Sequence, residues 1–172
     1  VVETIEQVDQ LQVPDPDRVA YLTQTTLSLD ETRAIIERLR GRFPNVAAPK
    51  AQDICYATQN RQTALKRVAP RADLVLVVGS ENSSNSLRLV EVAANAGAPA
   101  FRIDDADAIE PAWLDGVATV GLTAGASAPE SLVQEVVASL CARFGFSRVE
   151  EAEGIDEHVR FVLPETVLAS SA

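Results

Sequence analysis

Apolar residues along this chain fall into short unbroken runs that alternate with longer stripes spaced three and four residues apart. The clearest run, Leu74 to Val78, has the length and β-branched content of a buried parallel strand. Val19 to Leu22, Ala100 to Ile103 and Val117 to Leu122 read as further strands, and Asn45 to Lys50 as a short strand or loop. The stripes predict helices: Ile5, Val8, Leu11; Ile35, Ile36, Leu39; Ala57, Ala64, Leu65, Val68; Leu87, Val90, Val92, Ala93, Ala96; and Leu132, Val133, Val136, Val137, Leu140. Ser28-Leu29-Asp30-Glu31 is a capping-box pattern opening the second helix, which Gly41 and Phe43-Pro44 end. Ser127 with Glu130 three residues later reads as a second capping box, with Pro129 in the first turn. Pro70 closes the third helix, and Pro111 to Leu114 forms a helical turn whose Trp113 packs on a lobe surface or stacks on a ligand. Past Phe144, Glu150 to Glu153 is a solvated face and Val159 to Leu163 a terminal strand. Strands alternating with helices predict an α/β fold, with parallel sheets flanked by helices and right-handed connections.

The chemistry sits where strands give way to helices. After Val78 the chain reads Gly-Ser-Glu-Asn-Ser-Ser-Asn-Ser to Ser86, so that five of the six residues from Glu81 to Ser86 are Asn or Ser. A helix N-terminus offers free N–H groups and a positive dipole end, which favour an anion. A plain N-cap needs only one such side chain. The junctions Thr23 to Ser28 and Thr123 to Ser127 have the same character, with hydroxyls, small residues and no Lys or Arg. Ligands of open α/β sheets bind beyond the carboxyl ends of the strands. Converging there, the three junctions would form a pocket of neutral donors suited to a phosphate or diphosphate.

Composition narrows the classes. The chain has 172 residues, 47% of them hydrophobic, enough for one domain or two small lobes. Its 15 basic against 25 acidic residues give a net charge of −10, which excludes a general electrostatic grip on nucleic acid or acidic lipid. No apolar run approaches the roughly 20 residues of a membrane span, and no signal-peptide pattern opens the chain, so a soluble cytoplasmic protein is expected. The chain begins Val-Val-Glu and contains no Met, from which part of a longer protein is expected. Two cysteines, Cys55 and Cys141, are too few for a disulfide framework or a metal cluster of their own. Cys55 reads as a small buried hydrophobe, a nucleophile lacking a nearby His, or a metal ligand whose thiolate form a helix N-terminus favours. Cys141 reads as core, and His158, in the acidic tail, is assigned no role. A Walker lysine and Gly-x-Gly-x-x-Gly are both absent, against the common nucleotide loops.

Four motifs carry a specific resemblance: Tyr21-Leu22-Thr23-Gln24-Thr25-Thr26-Leu27-Ser28; Asp53-Ile54-Cys55-Tyr56-Ala57-Thr58; Val77-Val78-Gly79-Ser80 with Asn82-Ser83-Ser84-Asn85-Ser86; and Thr123-Ala124-Gly125-Ala126-Ser127-Ala128-Pro129. In order and spacing, over about residues 15 to 140, they resemble the second half of the LytB family, the 4-hydroxy-3-methylbut-2-enyl diphosphate reductases of isoprenoid biosynthesis (the methylerythritol phosphate pathway). The resemblance implies a three-lobed, trefoil-like iron–sulfur reductase. Residues 1–52 would complete the second α/β lobe, 53–143 form the third, and 144–172 a C-terminal tail. It implies a 4Fe-4S cluster held by three cysteines, of which Cys55 matches the last. Ser83, Ser84, Asn85 and Ser127 match the residues that hydrogen-bond the diphosphate, and Thr25 matches the catalytic threonine near the substrate hydroxyl. An electron donor such as ferredoxin or flavodoxin is implied as partner.

The first two cluster cysteines, the diphosphate-contacting histidines and the proton-relay glutamate of the family have no counterpart in this chain, and Cys141 is not at a ligand position. The expectation is therefore a chain that lacks its N-terminal half, is inactive alone and holds no intact cluster. The alternatives are a non-enzymatic phosphate- or diphosphate-binding α/β module and a purely structural fragment.

Overall fold

A computed structural model describes residues 1–27, 29–49 and 55–152. In chain order its elements are α1 (Ile5–Gln10), α2 (Leu29–Arg42), α3 (Tyr56–Val68), β1 (Leu74–Val78), α4 (Ser84–Asn95), β2 (Ala100–Ile103), β3 (Val120–Ala124) and α5 (Glu130–Phe144). Three 3₁₀ turns, Ala69–Arg71, Ala106–Ala108 and Pro111–Leu114, join them. The strands form one parallel sheet in the order β2-β1-β3, with Val77 paired to Arg102 on one side and Thr123 on the other. The predicted α/β architecture is present.

The central strand explains the sheet. All five residues of β1 are buried, as a strand covered on both faces requires. Val75 and Val77 pack with Leu65 and Ala69 beneath α3 and with Leu89, Val92 and Ala93 of α4. Leu74, Leu76 and Val78 pack on the opposite side with Ile103, Ile109, Val136 and Leu140. Each such side chain contributes about 1.5–3 kcal/mol on burial. Trp113 stacks on Phe101 at 4.2 Å with the rings 2° from parallel, so it belongs to this second cluster.

Two strand expectations are shortened. β3 begins at Val120 rather than Val117, because the Val117 N–H closes the preceding turn onto Leu114 and the Asp73 carboxylate takes the N–H groups of Ala118 and Thr119, at 3.0 and 2.9 Å. Val19 to Leu22 reduces to one parallel bridge, Ala20 to Ala47, flanked by the bonds Tyr21 N to Ala47 O and Ala47 N to Val19 O. With a single residue in register the run cannot extend a ladder, and Leu22 stays exposed. α1 and α2 pack nearby around Val8, Leu39 and Phe43, a cluster separate from both faces of the sheet. Ser28 of the first capping box, His158 and the Val159 to Leu163 run lie outside the described residues. Among the described residues, no helix is long and apolar enough to cross a membrane.

Candidate functional site

The parallel ladder continues one residue past β1 and β3, and that extension builds the site. Gly79 N–H donates to Ile103 O at 2.9 Å, and Gly125 N–H to Val78 O at 2.8 Å, which draws both glycines against the start of α4. Ser83 is the N-cap: its hydroxyl accepts from Ser86 N–H at 3.3 Å and from the Ser86 hydroxyl at 3.0 Å. Ser86 is fully buried between the two glycines. A Cβ on Gly79 would lie 2.1 Å from Ser86 Oγ, and one on Gly125 2.3 Å from it. Only glycine allows either approach.

Asn85, beside Ser86 on the first turn of α4, is 8% exposed. Neither its Oδ1 nor its Nδ2 has a hydrogen-bond partner among the described residues. Its Nδ2 faces the Gly125 turn, 3.6 Å from where a Cβ there would sit. An unmet buried polar group costs about 1–3 kcal/mol, so a side chain with both ends unmet is a candidate ligand contact. Ser84 is exposed at the first position of α4, where the main-chain N–H groups are free of helical partners. Ser127 is exposed in the turn after β3. The second capping box does not form: α5 takes Pro129 as its N-cap, with no side-chain cap, which puts Glu130 at the first helical position and Ser127 two residues before the cap. The Ser127 hydroxyl thus lies outside the helix.

The threonine turn is held elsewhere. Cys55 N–H donates to Thr25 O at 3.0 Å, and the buried Gln62 of α3 donates through Nε2 to Thr26 O at 3.2 Å. Thr25 is exposed, and so is Cys55, the N-cap of α3, whose thiol makes no capping bond. The structure therefore joins the Gly79 to Ser86 junction to the Thr123 to Ser127 junction, and the threonine turn to Cys55. α3 and α4, which carry the two pairs, pack together on one sheet face. Cys141 is half-buried on α5, against the other face, so the two thiols do not share a site. Among the described residues, no three His, Cys, Asp or Glu side chains gather as a metal site. At this end of the fold Cys55 fits one thiolate ligand and not a full set.

One cation reaches the site that the junctions themselves did not reveal. Arg102 of β2 donates through one guanidinium nitrogen to Gly79 O and to Asp104 Oδ1, both at 2.7 Å. Its signal in the sequence is a lone cation inside the apolar run Ala100 to Ile103, two residues before an acid.

Comparison with known proteins gives the chain a family and a fold. The family model described as LytB protein matches residues 1–141. The chain is 57% identical over 166 residues to the 4-hydroxy-3-methylbut-2-enyl diphosphate reductase of Leifsonia xyli subsp. xyli, covering 96% of this chain and 49% of the relative. It is 54% identical to the reductase of the same name from Neisseria meningitidis serogroup C, with 96% and 51% covered. The solved structure of the E-1-hydroxy-2-methyl-but-2-enyl-4-diphosphate reductase from Plasmodium falciparum superposes with a TM-score of 0.87 at 35% identity, over 99% of this chain and 54% of that one. The chain spans about half the length of the curated relatives it matches.

Proposed function

Because the chain belongs to the LytB family, we propose that it supplies the diphosphate-holding part of a 4-hydroxy-3-methylbut-2-enyl diphosphate reductase acting in the cytoplasm. The observation that carries this reading is Asn85, buried at the start of α4 with both ends of its amide unmet among the described residues. The Asn85 amide, the hydroxyls of Ser83, Ser84 and Ser127, and the free N–H groups of α4 hold the diphosphate. On a chain of net charge −10 these local donors, rather than the overall field, select the anion. Hydrogen bonds to a charged group contribute about 1.5–3 kcal/mol each, enough for a small ligand. Thr25 serves at the substrate's hydroxyl end, and its carbonyl bond to Cys55 N–H supports this by tying the threonine turn to the thiol.

Cys55 is one ligand of a 4Fe-4S cluster whose other two cysteines lie outside this chain. When bound, such a cluster supplies the two electrons that, with protons, turn the allylic alcohol into isopentenyl or dimethylallyl diphosphate and water. A small electron carrier of the ferredoxin or flavodoxin type serves as donor. Residues 1–52 and 53–143 belong to two lobes of a three-lobed whole, with 144–172 as the tail; the separate apolar cluster of Val8, Leu39 and Phe43 supports that division.

Anaerobic reconstitution of the isolated chain with iron and sulfide tests the assignment. The expected result is no stable cluster absorption in the visible range, because one thiolate cannot replace three; a full signal overturns it. A second reading, a diphosphate-binding module without redox chemistry, is favoured by the single thiol at the site. Cys55→Ser in the full-length protein separates the two. Loss of cluster and turnover with diphosphate binding retained supports the reductase, and unchanged turnover supports the module.

A further inference from the structure

Arg102 has a half-buried side chain, 20% exposed, in the strand next to β1. Its register partner is Val77, so it lies on the α4 side of the sheet, and from there its guanidinium reaches the carbonyl of Gly79 at 2.7 Å. Asp104, past the end of the same strand, holds the same nitrogen at 2.7 Å. Gly79 is thereby fixed on three sides: its N–H by Ile103, its carbonyl by Arg102, and its Cα by the buried Ser86. The residues that follow, Ser80 to Ser83, lead into the first turn of α4, which carries Ser84 and Asn85, and among the described residues this short segment is tied by Ser83 N–H to Ser80 O, by Leu87 N–H to Ser83 O and by the Ser83 to Ser86 pair. So short a segment takes its course from its two ends, Gly79 at one and the Ser83 cap of α4 at the other.

We infer that Arg102, clamped by Asp104, is a positioning residue of this site: by fixing the Gly79 carbonyl it presets the Ser80–Ser83 loop and the start of α4 to receive a diphosphate. The inference rests on the diphosphate reading above. Binding to a preset loop avoids ordering that loop on association, so loosening it lowers affinity without removing a ligand contact. Arg102 would serve in this role through its bond to the loop rather than by touching the anion.

The test is calorimetric titration of the full chain with inorganic diphosphate, alongside amide exchange of the loop. Arg102→Gln is expected to weaken binding by about tenfold, the scale of one charge-assisted hydrogen bond. Arg102→Lys, which can still bridge Gly79 O and Asp104, is expected to retain affinity within about threefold. The amides of Ser83 and Ser86 should exchange faster in Arg102→Gln and as in wild type in Arg102→Lys, with Val75 to Val78 protected in both. Should Arg102→Gln fail to fold, Asp104→Asn at an exposed carboxylate tests the same clamp, with about threefold weaker binding expected. Wild-type affinity and loop exchange in Arg102→Gln, or in Asp104→Asn where that variant stands in, overturns the inference alone. A wild-type chain that does not bind diphosphate, or an Asn85→Ala variant that binds it equally well, overturns the parent reading and this inference with it.

Discussion

At the level of single residues the site spends stability on function, and Asn85 is where that is measurable. Both ends of its amide are buried without partners among the described residues, so Asn85→Leu, nearly isosteric and apolar, should raise stability toward urea by about 1–2 kcal/mol in the absence of ligand. The same variant should lose diphosphate binding by at least about tenfold. A drop in ligand-free stability would mean that the amide is already satisfied. The two glycines make a second, sharper case. A Cβ on Gly125 meets Ser86 Oγ at 2.3 Å, but its next neighbour in Ser86 is Cβ at 3.6 Å. A Cβ on Gly79 meets Ser86 Oγ at 2.1 Å and Ser86 Cβ at 2.9 Å. Gly125→Ala should therefore destabilise by about 1–3 kcal/mol and be largely rescued by Ser86→Ala, whereas Gly79→Ala should not be rescued. Thermal unfolding of the three single and two double variants gives both coupling energies, and equal rescue at the two glycines would contradict this packing.

Among the elements, α1 is too short to persist by itself and is kept in place by α2. Arg42 of α2 donates to the carbonyls of Val8 and Leu11 at the end of α1, and Arg38 pairs with Asp9 at 2.7 Å. The Arg42 bonds satisfy main-chain carbonyls, while the Arg38 pair is exposed and screened. Arg42→Ala should thus expose the segment 1–12 to proteolysis much more than Arg38→Ala does. The hydrogen bond from Arg38 holds the Asp9 carboxyl below its usual range. A depressed folded-state value means that this small contribution is present above about pH 4 and fades as the pH falls further. The legibility of the elements follows the same physics. α2, α4 and β1 were readable because an apolar stripe or a fully apolar run is a local signal. That the Ser and Asn cluster could cap α4 was readable too, but not that Ser83 is the residue that does so. The Val19 to Leu22 run was misleading because pairing is non-local, and only Ala47 met it. The Ser127 capping box failed because Pro129 itself took the cap. Arg102 went unread at the site because its target, Gly79 O, lies 23 residues away in sequence and only the sheet register brings them together.

For the molecule as a whole, the parallel sheet places the loops after β1 and β3 at one end, where Asn85, Ser83 and the glycines meet, while the redox chemistry of its relatives is proposed to need polypeptide beyond this chain. Anion binding should therefore be separable from catalysis, and it should be specific. A net charge of −10 opposes anions in general, so any that bind do so through the local donors. A ligand that binds only the folded state stabilises it by about 2.7 kcal/mol at a hundred times its dissociation constant. For a domain of this size each kcal/mol raises the unfolding midpoint by about 2–4 °C. Saturating inorganic diphosphate should then raise the midpoint of the isolated chain by about 5–10 °C, at an ionic strength of about 0.15 M where exposed charges are screened. Sulfate at equal ionic strength should give a much smaller shift, and Asn85→Ala should lose the diphosphate shift while keeping its own fold. Equal shifts with sulfate and diphosphate would reduce the site to a general helix-end anion effect, and no shift at all would remove the diphosphate site from this chain.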